Sequence, residues 1–412
     1  MYMNKKMNRW TYAVVGVIVL LLAGLVYAWS VFSSPIAAYF SDWTKAQLSL
    51  TFTICMAFFC VGGFVGGLLA GKVDVKINVW ASAVLFFAGF FLASKSTSTT
   101  MLYLGYGVLG GFASGLVYNA VMSTVSRWFP DKPGLISGIL LMGFGFGSFF
   151  IGKIYQAMTP AGPGIDAWRN TFFIFGIVLL VVIAVCGMFF VKPTAEDLAE
   201  IKVEKAGGKK SGSAGSEMTP MEMLKTTSFW IYFIWAILLS AAGLALISQA
   251  SGVAMEVGPD VDPSTIATVV GLISICNGIG RVVFGGLFDK IGRGKTMSLI
   301  SICFVVSVGV LVLALTQKNF MLMVVGFICT GFSYGGVTPT NSAFISAFYG
   351  KKNYPVNFSI INMNLLIASF GSTIAGALYD ASGSFVSTFL MMIVAGVLAF
   401  VLNLLIREPK GK

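Results

Sequence analysis

The sequence predicts an all-helical membrane protein, with twelve transmembrane helices arranged as two six-helix bundles, on three observations. Hydrophobic residues make up 57% of the 412 and charged residues only 10%, a balance that no water-soluble domain can hide beneath its surface. Runs of about 20 apolar residues, the length that crosses a bilayer as a helix, recur between short polar joints. A polar stretch near the middle of the chain divides those runs six and six.

The spans read as residues 10–32, 47–70, 77–94, 101–126, 135–158 and 168–191 in the first half. In the second half they read as 229–257, 265–288, 296–316, 320–348, 356–379 and 385–406. The first run follows Lys5, Lys6 and Arg9 in the manner of a signal peptide. It is longer than the roughly 7 to 15 apolar residues of such segments, so it is read as an uncleaved helix. The six cysteines (Cys55, Cys60, Cys186, Cys276, Cys303 and Cys329) fall inside apolar spans without metal-ligand or redox spacing, and read as small core residues.

A net charge of +11 raises the question of nucleic acid. The basic residues, however, are spread through the joints rather than gathered on one element, so no nucleic-acid partner is expected. Joints on one side, together with the termini and the central stretch, hold 21 of the 27 lysines and arginines, whereas the opposite joints hold Lys45, Lys95, Arg169 and Lys318. The positive-inside rule then places both termini and the central loop in the cytoplasm.

From about Lys192 to Lys225 glycine, serine and charges of both signs replace the apolar pattern, which reads as a flexible linker. The resulting division is 1–191 for the N-terminal half, 192–227 for a cytoplasmic linker and 228–412 for the C-terminal half. The halves look like duplicated copies. A displacement of 220 residues lays Gly111-Phe112-x-x-Gly115 on Gly331-Phe332-x-x-Gly335, and one of 218 lays 67–76 on 285–294. Repeats of this kind are a transporter plan in which the substrate site lies near the bilayer midplane.

All sixteen carboxylates fall in joints, termini or helix ends, and the chain has no histidine. Side chains that usually relay protons are therefore missing from the apolar spans. Two cations do lie within spans, Lys153 in the fifth and Arg281 in the eighth. Lys153 is near an end and reads as an interfacial anchor.

Arg281 is the more informative. Its guanidinium stays charged, and its planar fork matches a carboxylate with two parallel hydrogen bonds, so a small organic acid is the expected ligand. Asn277 stands four residues earlier on the same helical face, placed to bind substrate or steer the guanidinium. Tyr27, Tyr118, Asn119, Tyr334, Asn362 and Asn364 add neutral donors and acceptors on other spans, and as a set they predict a polar cavity.

Gly285-x-x-x-Asp289-Lys290-x-Gly292-Arg293-x-Lys295 resembles the loop signature of the major facilitator superfamily. Arg127-Trp128-Phe129-Pro130-Asp131-Lys132-Pro133-Gly134-Leu135, with Tyr118 before it and Gly143-x-Gly145-x-Gly147 after it, resembles the oxalate/formate antiporter family and its bacterial relatives of the monocarboxylate transporters. Tyr27-Ala28-Trp29-Ser30-Val31-Phe32 and Asn277-Gly278-x-x-Arg281 extend the resemblance over nearly the whole chain. It implies the major facilitator fold and alternating access by rocking of two halves. It also implies that Arg281 binds the substrate carboxylate and that Asp289, Lys290, Arg293, Arg127 and Asp131 serve conformational change.

Two departures qualify it. The oxalate exchanger of the family carries a second membrane cation, a lysine on its eleventh helix, and Asn364 aligns best with it here. Losing a positive charge favours a monocarboxylate such as lactate, pyruvate or formate over a dianion. In the joint between the second and third spans, Gly71 and Lys72 stand where the superfamily has an acidic residue, and Asp74 is a substitute for it or simply solvated.

The expected function is thus secondary transport of small monocarboxylates as a monomer without a cofactor. Proton symport is placed ahead of anion exchange of the oxalate/formate type, although no span carboxylate offers itself as proton acceptor. Proton-driven efflux of drugs or sugars lacks its usual membrane acids. A ligand-sensing receptor with a transporter fold lacks an output domain, and an enzyme lacks the side chains for bond chemistry.

Overall fold

A computed structural model describes residues 8–43, 45–159, 165–194, 196–198 and 217–407. Contacts divide the chain into two compact units, Met1–Ser213 and Ala214–Lys412. Among the described residues, twelve helices are long and apolar enough to cross a membrane. The first unit holds α1 (Arg9–Ala28), α2 (Leu50–Leu69), α3 (Val75–Ser94), α4 (Thr99–Trp128), α5 (Pro133–Met158) and α6 (Ala167–Gly187). The second holds α7 (Thr227–Val257), α8 (Thr268–Ile291), α9 (Arg293–Thr316), α10 (Phe320–Tyr349), α11 (Tyr354–Ser382) and α12 (Val386–Leu405).

Most ends fall within a turn of those expected, and the exceptions have local causes. α6 stops at Gly187 rather than at residue 191, because the Lys192-Pro193 step that follows disfavours helix. The Trp128 indole at the end of α4 takes the freed Val191 carbonyl at 2.9 Å. α1 is α-helical to Ala23 and tightens to a 3-10 helix over Gly24–Ala28, and a further α-helix, Trp29–Tyr39, follows it directly and runs beyond the expected end at residue 32. Hydroxyls of α4 compensate for this change of winding. Ser114 donates to the Ala23 carbonyl at 3.0 Å, and Tyr106 to the Val26 carbonyl at 3.0 Å.

Other helices near the polar candidates are irregular as well. α4 is π-helical over Tyr103–Gly110. α10 is interrupted at Gly336, three residues before Pro339, which has no N–H to give the Gly335 carbonyl. α11 is interrupted at Met363 and again at Ser369. Irregular backbone at membrane depth persists only where protein or a water-lined space satisfies it.

Two expectations need correction. The end of the central linker is ordered against the second unit. Thr219 and Glu222 form a capping box on the short helix Pro220–Leu224, and Glu217 accepts the Lys351 and Lys352 backbone N–H groups at 3.2 and 2.7 Å. The cysteines are not all core residues. Cys55, Cys60 and Cys186 are buried, but Cys329 is exposed, as a thiol can be at no cost when the outer surface of a bundle faces lipid.

A candidate anion site on α8 and α10

The site begins with glycine. A Cβ built at Gly335 would run into the Asn277 carbonyl, and one at Gly280 into the Phe332 carbonyl. α8 and α10 therefore approach backbone to backbone, as small residues permit in membranes. On α8, Asn277 is 4% exposed, and its side-chain oxygen accepts the Arg281 Nε–H at 3.0 Å. The i,i+4 spacing read from the sequence thus becomes a contact that fixes the guanidinium plane. The amide nitrogen of Asn277 reaches toward the Gly331 carbonyl of α10 at 3.5 Å.

Tyr334 of α10 is buried within electrostatic reach of Arg281. Its ring lies so close on α7 that a Cβ at Gly243 would overlap it. Arg281 is half-buried. Among the candidates, Arg281, Asn277 and Tyr334 form one cluster.

Asn362 and Asn364 are engaged elsewhere in the same unit. Tyr232 of α7 donates to Asn341 Oδ1 at 2.8 Å, and Asn341 Nδ2 reaches Asn362 Oδ1 at 3.4 Å. Asn364 is wholly buried at the break in α11. Its amide donates to the Ile361 carbonyl at 2.6 Å, and its oxygen accepts from the Ser240 hydroxyl at 3.4 Å. Asn364 holds the kink. The sequence reading missed Asn341, although an asparagine in an apolar helix is the same signal that drew attention to Asn362 and Asn364.

In the first unit the candidates sit among aromatic rings. Tyr27, in the 3-10 turn of α1, and Tyr118 of α4 both meet Phe144 of α5 edge-on, with centroids at 5.3 and 5.4 Å. Asn119 is 1% exposed where α4 crosses Gly66 of α2. Lys153 is exposed near the end of α5.

The loop candidates have structural partners. Arg9 pairs with Asp131 at 2.9 Å and lies over the Phe129 ring, tying the start of α1 to the α4–α5 joint. Arg127 is half-buried in that joint. Arg293 donates to Asn403 Oδ1 at 2.8 Å and to the Ile406 carbonyl at 3.1 Å, fastening α9 to the end of α12. Asp289 is half-buried and Lys290 exposed. Asp74 caps α3 by accepting the Lys76 N–H at 2.8 Å, so it acts as a helix cap here.

Twelve helices long and apolar enough to cross a membrane define a multi-pass membrane protein. The model of the Major Facilitator Superfamily matches residues 17–368 and 249–412, and the chain belongs to that superfamily. It is 27% identical over 98% of its length to the oxalate:formate antiporter of Oxalobacter formigenes, covering 93% of that protein. It is 29% identical over 89% of its length to YhjX, an uncharacterised MFS-type transporter of Escherichia coli strain K12, covering 87% of it. Monocarboxylate transporter 13 of Bos taurus is 25% identical over 91% of this chain and 83% of that protein. A crystal structure of a double-tryptophan mutant of XylE shares the fold, with a TM-score of 0.77 at 15% identity over 98% of this chain and 97% of that chain.

Proposed function

We propose that this protein is a secondary active transporter of small organic monocarboxylate anions of the lactate, pyruvate and formate class, working by alternating access with Arg281 as the anion-binding group. The observation that carries the reading is the Arg281–Asn277 contact of 3.0 Å on α8, a permanent cation held in plane within a membrane span. A carboxylate is the ligand whose geometry a guanidinium fork matches best. Relatives named for oxalate, formate and monocarboxylates support the same class. Asn277 and Tyr334 complete the substrate contacts within the second unit.

Position 364 carries a neutral asparagine tied to its own helix and to Ser240, so no second cation is offered there to a dianion. This supports a monocarboxylate over oxalate. The coupling is proposed as proton symport ahead of anion exchange of the oxalate/formate type, and the uptake assay below separates the two. The protein is proposed to act as a monomer in the cytoplasmic membrane of a prokaryote, with both termini inside.

Uptake of labelled lactate, pyruvate, formate and oxalate into proteoliposomes tests the reading, for wild type and Arg281→Lys. Losing a charge-assisted pair of hydrogen bonds costs roughly 2–3 kcal/mol, so lactate uptake at low concentration should fall about 30- to 160-fold. Unchanged organic-anion transport in the variant would remove Arg281 from the site. Uptake that follows internal anion rather than a pH gradient identifies exchange, and oxalate uptake without lactate uptake overturns the substrate class.

A further inference from the structure

At the basic end of the second unit, α9 and α12 pack along each other and leave a cleft of about 520 Å³ between them. Its rim is the first turn of α9, with Arg293 and the exposed Lys295. Its wall is Leu299, Ile302 and Leu404, which are 38, 48 and 64% exposed. Cations at one end and open aliphatic side chains at the other make an amphipathic groove. Among the described residues that line it there is no carboxylate.

The rim is built rather than incidental. Asn403 is 3% exposed, and its amide donates to the Gly294 carbonyl and the Ser298 hydroxyl, both at 2.9 Å, while its oxygen takes Arg293. This fixes the guanidinium at the mouth of the cleft. The N-cap of α9 is Gly292, with φ of 81° and no side-chain cap, so first-turn N–H groups also line the rim with partial positive charge. From Arg293 to Ile302 a helix rises about 13 Å, enough to carry a headgroup phosphate at one end and the upper part of an acyl chain at the other.

We propose that the α9–α12 cleft binds one anionic phospholipid, its headgroup phosphate at Arg293 and Lys295 and an acyl chain along Leu299, Ile302 and Leu404. The charge of the rim selects an anion, and the aliphatic wall selects one that carries a hydrocarbon chain. A bare phosphate would leave that wall uncovered. Basic pockets between membrane helices at the cytoplasmic surface hold acidic headgroups for the same reasons. Because Arg293 joins α9 to the end of α12, an occupied cleft fastens these two helices together.

Native mass spectrometry and thermal unfolding of the purified protein test this with phosphatidylglycerol, phosphatidylcholine and inorganic phosphate as separate probes. Phosphatidylglycerol is expected to bind with a stoichiometry near one and to raise the unfolding temperature, while phosphatidylcholine and inorganic phosphate do neither. Lys295→Glu reverses a charge at the rim and should weaken phosphatidylglycerol binding about tenfold, whereas Lys72→Glu, at an exposed joint of the first unit, should change it less than about twofold. Ile302→Trp fills the cleft without altering charge and should abolish the bound lipid even if Lys295→Glu does not fold. Equal losses for Lys72→Glu and Lys295→Glu would mean diffuse attraction to basic joints and would overturn the site. Stabilisation by inorganic phosphate alone, or equal binding of phosphatidylcholine, would overturn the lipid assignment.

Discussion

The α2–α4 crossing in the first unit and the α8–α10 crossing in the second are built by the same contacts. A Cβ at Gly115 would strike the Phe59 carbonyl and one at Gly62 the Phe112 carbonyl, just as Gly335 abuts Asn277 and Gly280 abuts Phe332. The two displacements read from the sequence, 218 for the earlier helix of each pair and 220 for the later, bring each contact onto its counterpart. What differs is the chemistry placed on the repeated frame. The positions of Asn277 and Arg281 are occupied in the first unit by Phe59 and Gly63. Phe59 there meets Tyr118 edge-on and Phe144 at a tilt, with centroids at 5.2 and 5.8 Å. One crossing holds a cation and its amide, and the other an aromatic cluster. The packing recurs in both units, and the cation is found in one of them.

The strongest way to break the comparison is to fill both crossings. Gly115→Ala and Gly335→Ala each force a methyl group against a backbone carbonyl that has nowhere to move, and overpacking of this kind costs about 1–3 kcal/mol. Both variants should lower the unfolding temperature in detergent by similar amounts. If one tolerates alanine and the other does not, the crossings are not equivalent and the repeat is only a resemblance of sequence.

Next in size is the chemical asymmetry itself. Asn277→Asp would place a carboxylate against Arg281 and set it in competition with the substrate anion for the same guanidinium. KM for lactate should rise about tenfold or more, the worth of one charge-assisted hydrogen bond, with a smaller change in kcat. An unchanged KM would separate Asn277 from the anion site. A smaller effect is expected at the joint that anchors the start of α1. Asp131→Asn removes the partner of Arg9, a pair that is partly exposed, so the loss should be about 1 kcal/mol and should shrink in high salt. A loss that salt does not alter would assign the stabilisation to hydrogen bonding by Asp131 rather than to its charge.

The extent to which the sequence foretold these features follows from where the determining atoms lie. The twelve helices were legible because a lipid-spanning helix must satisfy its own backbone and carry its own apolar surface, both properties of one continuous segment. The contact between Asn277 and Arg281 was legible for the same reason, since four residues of helix separate them. The breaks in α1 were not, because the donors that compensate for them, Tyr106 and Ser114, are some eighty to ninety positions away. Asn364 drew attention as a polar residue at depth, but its use depends on Ser240 of α7 and on a kink that no local pattern announces. Tyr334 was found as a phenol in an apolar span. That it needs Gly243 opposite it emerges only when α7 and α10 are packed.

The smallest expected effect is the one that sharpens the comparison most. Gly63 stands at the repeat position of Arg281, yet it is not an obligatory glycine. A Cβ there would lie 3.6 Å from the Gly115 carbonyl, an ordinary contact, whereas one at the neighbouring Gly62 would overlap Phe112. Gly63→Ala should therefore change stability by less than about 0.5 kcal/mol, helped by the better helix propensity of alanine, and should leave lactate uptake as it is. Gly62→Ala should behave like Gly115→Ala. If Gly63→Ala keeps its unfolding temperature but loses transport, the first unit uses that position too, and a bare backbone there serves the substrate as the guanidinium does in the second unit. Transport retained at Gly63 and lost at Arg281 would instead show that the two copies share a frame while only one supplies the charge.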